Sequence, residues 1–177
     1  MTGLPNAGRL ADGSAPATPD DLFTRLQQLR IAVTTVRHRP VFTVEEARAH
    51  RGDLPGIHTK SLFLRDKKGA MSLVVCLEDR PIDLKDLAGR IGAGRLSFGS
   101  PERLMKYLGV VPGAVSPFAL LNDTGGRVRV YFDRAVLEGG LVNLHPLDNA
   151  LTTAIATADL RRFLETIGHP PQTVALP

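Results

Sequence analysis

The chain has 177 residues, 43% hydrophobic and 23% charged, and its 22 Lys and Arg against 18 Asp and Glu give a net charge of +4. That length suits one domain able to bury roughly two-thirds of its unfolded surface, and no apolar run approaches the roughly 20 residues of a membrane span. The basic balance is compatible with a polyanionic partner without requiring one. No charged-then-apolar leader opens the chain, so a cytoplasmic protein is expected. The single Cys76 lies in the run Val74-Val75-Cys76-Leu77, which excludes an internal disulfide and reads as a buried hydrophobe, not a nucleophile.

Residues 1–19, rich in Gly, Pro, Ala, Ser and Asp, read as a flexible tail ahead of a single domain over 20–177. Asp20 or Asp21 can cap a helix with Leu22, Phe23, Leu26 and Leu29 at helical spacing. Ile31 to Val36 then has the β-branched content of a strand, which His38-Arg39-Pro40 ends. Thr43 opens a short second helix with Glu45 and Glu46 in its first turn, where the helix dipole favours anions. After Gly56, Lys60 is expected at the mouth of a strand from Ser61 to Arg65. Alternation there puts Leu62 and Leu64 on one face and Ser61, Phe63 and Arg65 on the other. Asp66-Lys67-Lys68-Gly69 has turn chemistry, and the continuous apolar run from Met71 to Leu77 reads as a central strand.

Pro81 and Asp83 introduce a helix through Leu84, Leu87 and Ile91 that Gly92 and Gly94 break, and Arg95 to Phe98 reads as a short strand. Ser100-Pro101-Glu102 is a strong helix start, with Leu104, Met105 and Leu108 as the buried stripe and Gly109 as the stop. The loop 109–117, GVVPGAVSP, leads into Phe118 to Leu121, and Asn122-Asp123-Thr124-Gly125-Gly126 turns into a strand from Arg127 to Phe132. Strands near Gly140 to Leu144 and Leu151 to Ala156 flank His145-Pro146-Leu147-Asp148-Asn149, and a helix from Asp159 to Ile167 stops at Gly168. Strands with interspersed helices and no regular βα alternation predict an α+β fold with a mixed sheet.

Three features invite a functional reading, each beside a plainer one. Lys60 is either a placed electrostatic group or a solvated strand-end lysine. Residues 113–117, GAVSP, are either an ordinary connection or a tight loop whose backbone N–H groups face a ligand, with Gly113 permitting close approach and Pro117 fixing the exit. His145, four residues before Asn149 in a polar turn, either orients a ligand or water or is simply exposed. His38, His50, His58 and His169 are scattered without the spacing of a metal site, so neither metal nor other cofactor is expected. No Ser-His-Asp order, phosphate loop or dinucleotide motif can be assigned. The residues describe a cationic, glycine-lined cleft without a side-chain nucleophile, where hydrolysis would take its oxygen from water or from the substrate.

Lys60 opening SLFLRDKKG, the segment LSFGSPERLMKYLGVVPGAVSPFALLND at 96–123 and NLHPLDN at 143–149 resemble the free-standing prolyl-tRNA editing proteins of the YbaK-like superfamily, most closely the ProX branch that hydrolyses alanyl-tRNA(Pro). The resemblance covers about residues 20–168. It implies an α+β fold with a mixed, mostly antiparallel sheet or partial barrel flanked by helices, and a metal-free deacylase working by substrate-assisted hydrolysis. The family's lysine falls on Lys60, its loop glycine on Gly113 and its histidine turn on His145, which become the expected catalytic residues. Phe42, Ser61, Ser116, Pro117 and Leu144 become expected substrate contacts; related branches carry Asn or Thr where this chain has Ser61. The implied partner is the acceptor end of tRNA(Pro), met at the rim by Lys67, Lys68, Arg95 and Lys106, with prolyl-tRNA synthetase a second candidate and no membrane. The alternatives are a Cys-tRNA(Pro) deacylase of the same superfamily and a non-catalytic tRNA- or synthetase-associated module.

Overall fold

The computed structural model describes residues 8–40, 42–51 and 54–177, with the backbone alone for residues 47, 48, 50 and 51. The first helix, α1 (Pro19–Gln28), is capped by Thr18 and not by Asp20 or Asp21. The Thr18 hydroxyl accepts from the Asp21 N–H while the Asp21 carboxylate accepts from the Thr18 N–H, a reciprocal box that needs the acid inside the first turn. Residues 1–7 of the expected tail lie outside the described residues. From its remainder, the Ala11 N–H donates to the Lys106 carbonyl and the Ala17 N–H to Asn122 Oδ1.

β1 (Val33–Arg37) and α2 (Val44–Arg51) follow, the latter with its Glu46 N–H donating to the Thr43 hydroxyl. β2 (Ile57–Arg65) and β3 (Met71–Leu77) form an antiparallel hairpin with Lys60 opposite Cys76. Lys60 is thus the fourth residue of its strand, not a residue at its mouth. The strand begins earlier because Ile57 and His58 pair in parallel with Val142 and Asn143. α3 (Leu84–Ile91) is capped by Asp83 and ended by Gly92, and α4 (Pro101–Leu108) is capped by Ser100 and ended by Gly109, with β4 (Ser97–Phe98) between them. A 3-10 helix over Pro117–Asn122 leads to β5 (Val128–Asp133), the one-turn α5 (Arg134–Leu137), β6 (Leu141–Leu144), β7 (Leu151–Ala156), α6 (Thr157–Thr166) and β8 (Gln172–Val174).

The strand order is β1-β7-β6-β2-β3-β5-β8, with β4 also paired to β2. Antiparallel contacts join β1 to β7, β6 to β7, and β2 to β3 and β4; parallel contacts join β2 to β6, β3 to β5 and β5 to β8. The expected α+β fold with a mixed, mostly antiparallel sheet is present, and among the described residues the sheet stays open instead of closing into a barrel. Both faces of its centre are covered. Phe63, Leu73, Val75, Val130 and Phe132 pack with Leu22, Leu104, Leu108 and Phe163 on one side, while Leu64, Val74 and Tyr131 pack under Leu87 and Ala88 of α3 on the other. That double burial is the physical reason for the unbroken apolar run of β3. Cys76 has no exposed surface, and burial pushes its thiol up to about 11, consistent with an inert core residue. Among the described residues no helix is long and apolar enough to cross a membrane.

Gly56 delivers the chain into β2 with φ +97°, and a Cβ there would sit 3.0 Å from the Leu141 carbonyl oxygen and 3.1 Å from Asn143 Nδ2. Gly56→Ala is therefore expected to cost about 1–2 kcal/mol from left-handed strain alone. That is read as a fall of several degrees in a thermal melt; an unchanged melting point would show that the turn relaxes freely.

Candidate active site

The parallel pairing of β6 with β2 ends after two residue pairs, and β4 takes up the same edge of β2 only at Leu64 and Arg65. Between them, among the described residues, the edge at residues 59–62 has no strand beside it. The opening is a cleft of about 250 Å³, lined from β2 by Thr59, Lys60 and Ser61, from β6 by Asn143 and Leu144, and from the connecting loop by Gly113, Val115 and Ser116. The split is held from both sides. Thr59 Oγ1 donates to the Asn143 carbonyl at 3.1 Å, and Asn143 Nδ2 donates to the Pro55 carbonyl at 2.8 Å.

Lys60 Nζ donates to the Arg80 carbonyl at 2.5 Å, and the Arg80 guanidinium pairs with the buried Asp133 carboxylate at 2.5 Å. An ammonium has three donors, so this anchor fixes the head group and, among the described residues, uses one of the three. Gly113 takes φ +93° in a turn closed by the Ala114 N–H on the Val111 carbonyl. Among the described residues neither the Gly113 nor the Val115 N–H has a protein acceptor, the condition for backbone donors to serve a ligand oxygen. Buried Ser116 ties this loop to the histidine turn: its hydroxyl donates to the His145 carbonyl at 2.6 Å and accepts from the Phe118 N–H at 3.2 Å.

His145 Nδ1 lies 2.7 Å from the Leu151 carbonyl, which can only accept, so Nδ1 carries the proton and Nε2 is the acceptor of the neutral ring. Burial drives the His145 pKa below its ordinary value of 6.5, with the Leu151 carbonyl opposing and His38 assisting. His38 stands 6.1 Å away, centroid to centroid, its own ring held between the Arg39 carbonyl and the Thr152 hydroxyl, each at 2.7 Å. Among the described residues no three His, Cys, Asp or Glu side chains gather into a metal-holding group. His50 has its side chain outside the described residues.

Of the residues expected from sequence, Lys60, Gly113, His145, Phe42, Ser61, Ser116 and Leu144 all line the cleft, Phe42 as a 68% exposed rim residue. Pro117 does not; it is the buried first residue of the 3-10 helix. Lys67 and Lys68 are exposed in the hairpin turn beyond Arg65, roughly 17 Å or more from Lys60 along the strand. Arg95 is exposed beside β4, whose partners Leu64 and Arg65 are at that same end, and Lys106 is exposed on α4; none of the four lines the cleft. His38, Thr59, Glu78, Asn143 and Thr152 do line it and were not expected. His38 and Thr152 meet only through the β1–β7 pairing, and the one local signal was a histidine placed where its strand stops.

Residues 38–163, a span holding every cleft residue named above, match the family model of the aminoacyl-tRNA editing domain. The chain belongs to the aminoacyl-tRNA editing domain family. It is similar to the prolyl-tRNA editing protein ProX of Acetoanaerobium sticklandii, 39% identical over 158 residues that cover 88% of this chain and 95% of that protein. The Danio rerio prolyl-tRNA synthetase associated domain-containing protein 1 is 41% identical over 165 residues, 90% of each chain. The Escherichia coli multifunctional Ser/Thr-tRNA deacylase ProXp-y is 31% identical over 113 residues, covering 62% of this chain and 66% of that one. A crystal structure of a proposed trans-editing enzyme for prolyl tRNA synthetase shares the fold with a TM-score of 0.65 at 19% identity, over 92% of this chain and 100% of that one. As an editing-domain member, this chain is an aminoacyl-tRNA deacylase.

For this editing domain, Ser116→Ala removes both the 3-10 cap and the tie to His145. A loss of about 1–2 kcal/mol in stability is expected, together with a drop in deacylation at 25 °C, where the variant is still folded. Unaltered turnover alongside a lowered melting point would confine Ser116 to the fold.

Proposed function

We propose that this protein edits prolyl-tRNA in trans by hydrolysing mischarged Ala-tRNA(Pro). The observation that carries the reading is the convergence of an anchored lysine, a loop with two unclaimed N–H groups and a neutral histidine in one cleft, within a chain 39% identical to ProX.

An aminoacyl ester is already activated, so the enzyme chiefly has to place it. The backbone N–H groups at Gly113 and Val115 receive the carbonyl oxygen, where negative charge builds as water attacks the ester carbon. Lys60 holds the phosphate or ribose of the terminal adenosine with its remaining donors. The free ribose hydroxyl of the substrate orients the attacking water. Collapse of the tetrahedral intermediate breaks the bond to the ribose oxygen, which leaves with a proton from that water, giving alanine and uncharged tRNA. His145 Nε2 orders the water or lines the amino-acid pocket with Leu144, and Phe42 closes the rim.

A pocket shaped for proline excludes alanine weakly, because a few missing methylenes are worth only about 1–3 kcal/mol, so a second and smaller sieve is needed. Here Leu144, Val115 and the Gly113 turn form the narrow wall that admits alanine and turns away the prolyl ring. The acceptor stem then runs past the cleft, with Lys67, Lys68, Arg95 and Lys106 meeting phosphates at a distance from the ester. Prolyl-tRNA synthetase is a candidate partner, and the cytoplasm is the compartment this role requires. The test follows amino-acid release from Ala-, Cys- and Pro-tRNA(Pro) incubated with purified protein. Alanine release with proline retained supports the proposal. Preferential cysteine release would assign the substrate to the related Cys-tRNA(Pro) activity, and no release from any of the three would leave a tRNA-end-binding module.

A further inference from the structure

The acyl group of an aminoacyl ester differs from other acyl groups in carrying an α-amine, whose ordinary pKa near 8 leaves it largely protonated at neutral pH. The cleft holds a counterpart outside the machinery described so far. Glu78 follows β3, and its backbone N–H donates to the His58 carbonyl at 3.0 Å, extending the hairpin ladder one pair beyond Thr59 and Leu77. That register puts Glu78 opposite His58, on the same face as Lys60 and diagonal to it, roughly 7 Å apart at the backbone. Glu78 is 8% exposed, yet it lines the cleft, and among the described cleft residues it is the sole carboxylate, as Lys60 is the sole Lys or Arg.

On the editing reading above, the cleft is dipolar in the same sense as its substrate, with a cation for the phosphate and ribose end and an anion for the amine end. We infer that Glu78 receives the α-ammonium of the bound aminoacyl group and makes a free amine a condition of hydrolysis. A carboxylate offers about four lone-pair sites, so this contact coexists with the interaction Glu78 makes within the protein. A buried carboxylate gains most from a cation where water is excluded, and a neutral group in that position forgoes that gain. Peptidyl-tRNA and N-formylaminoacyl-tRNA carry an amide in place of the ammonium and would be spared by the same device.

The test compares Ala-tRNA(Pro) with lactyl-tRNA(Pro), in which a hydroxyl of similar size replaces the ammonium, each rate being divided by the uncatalysed rate of that ester. The wild-type chain is expected to prefer the alanyl ester on the order of 100-fold. Glu78→Gln is expected to lose most of that preference through the alanyl ester, leaving the lactyl rate within about 3-fold. Equal acceleration of both esters by the wild type, or a preference retained in Glu78→Gln, overturns the inference. A second measurement needs no variant: binding of 3′-alanylamino-3′-deoxyadenosine to the wild type against its lactylamino counterpart. Tighter binding of the amine-bearing analogue supports the inference and equal binding overturns it. If the wild type accelerates neither ester, the editing reading fails by itself, and the analogue pair, bound to the wild type and to Glu78→Gln, still decides the role of Glu78: an amine preference kept in the variant overturns it.

Discussion

Replacing Lys60 by alanine is expected to lower kcat/KM for Ala-tRNA(Pro) by about 100-fold or more, the usual consequence of losing a pre-placed donor or charge in a water-poor site. The stability loss should be small by comparison. The variant leaves the Arg80 carbonyl without its 2.5 Å donor, and one such bond is worth about 1 kcal/mol, or a few degrees of melting temperature for a chain of this size. Lys60→Arg is expected to fold as well as the wild type and recover little activity. A planar guanidinium cannot hold the Arg80 carbonyl and project two further donors along the same directions as an ammonium. Steady-state rates paired with thermal melts check both statements. Full activity in Lys60→Ala would remove the lysine from the mechanism, whereas a collapse of the melting temperature would make its anchor structural.

Local chemistry carried much of this architecture into the sequence. Ser100 and Gly109 bracket α4, Asp83 and Gly92 bracket α3, and β7 runs from Leu151 to Ala156, because caps, stops and apolar periodicity are short-range signals. What was illegible depends on pairing between distant segments. β8 exists because Gln172–Val174 aligns with Tyr131–Asp133, a registration that three residues cannot announce. Lys60 stood out as a cation on a strand, but its depth within β2 follows from pairing with β6, some 80 residues away. Glu78 sat in a polar stretch, Glu78-Asp79-Arg80-Pro81, that reads as a turn on any local rule. Only the hairpin register turns it toward the cleft. For Lys67, Lys68, Arg95 and Lys106 the charge was visible in the sequence and the distance from the cleft was not.

His145 is expected to set the acid side of the pH profile. Burial holds its pKa below 6.5, so Nε2 remains an acceptor throughout the neutral range. The rate of Ala-tRNA(Pro) hydrolysis, corrected for the uncatalysed reaction, should then fall on acidification along a limb centred below the ordinary histidine value of 6.5. His145→Gln keeps a donor for the Leu151 carbonyl but offers no titratable base, so it should be slower at pH 7 by about 10–100-fold and should lack that acid limb. Stability follows the same sign. Because the folded pKa is lower than the unfolded one, the unfolded chain binds more protons between the two values. The contribution is fully present above about pH 6.5 and is lost as pH falls through the folded value, so urea midpoints should decline on acidification more steeply in the wild type than in His145→Gln. An acid limb centred above pH 6.5, or one that survives in His145→Gln, would move the titrating group elsewhere in the cleft.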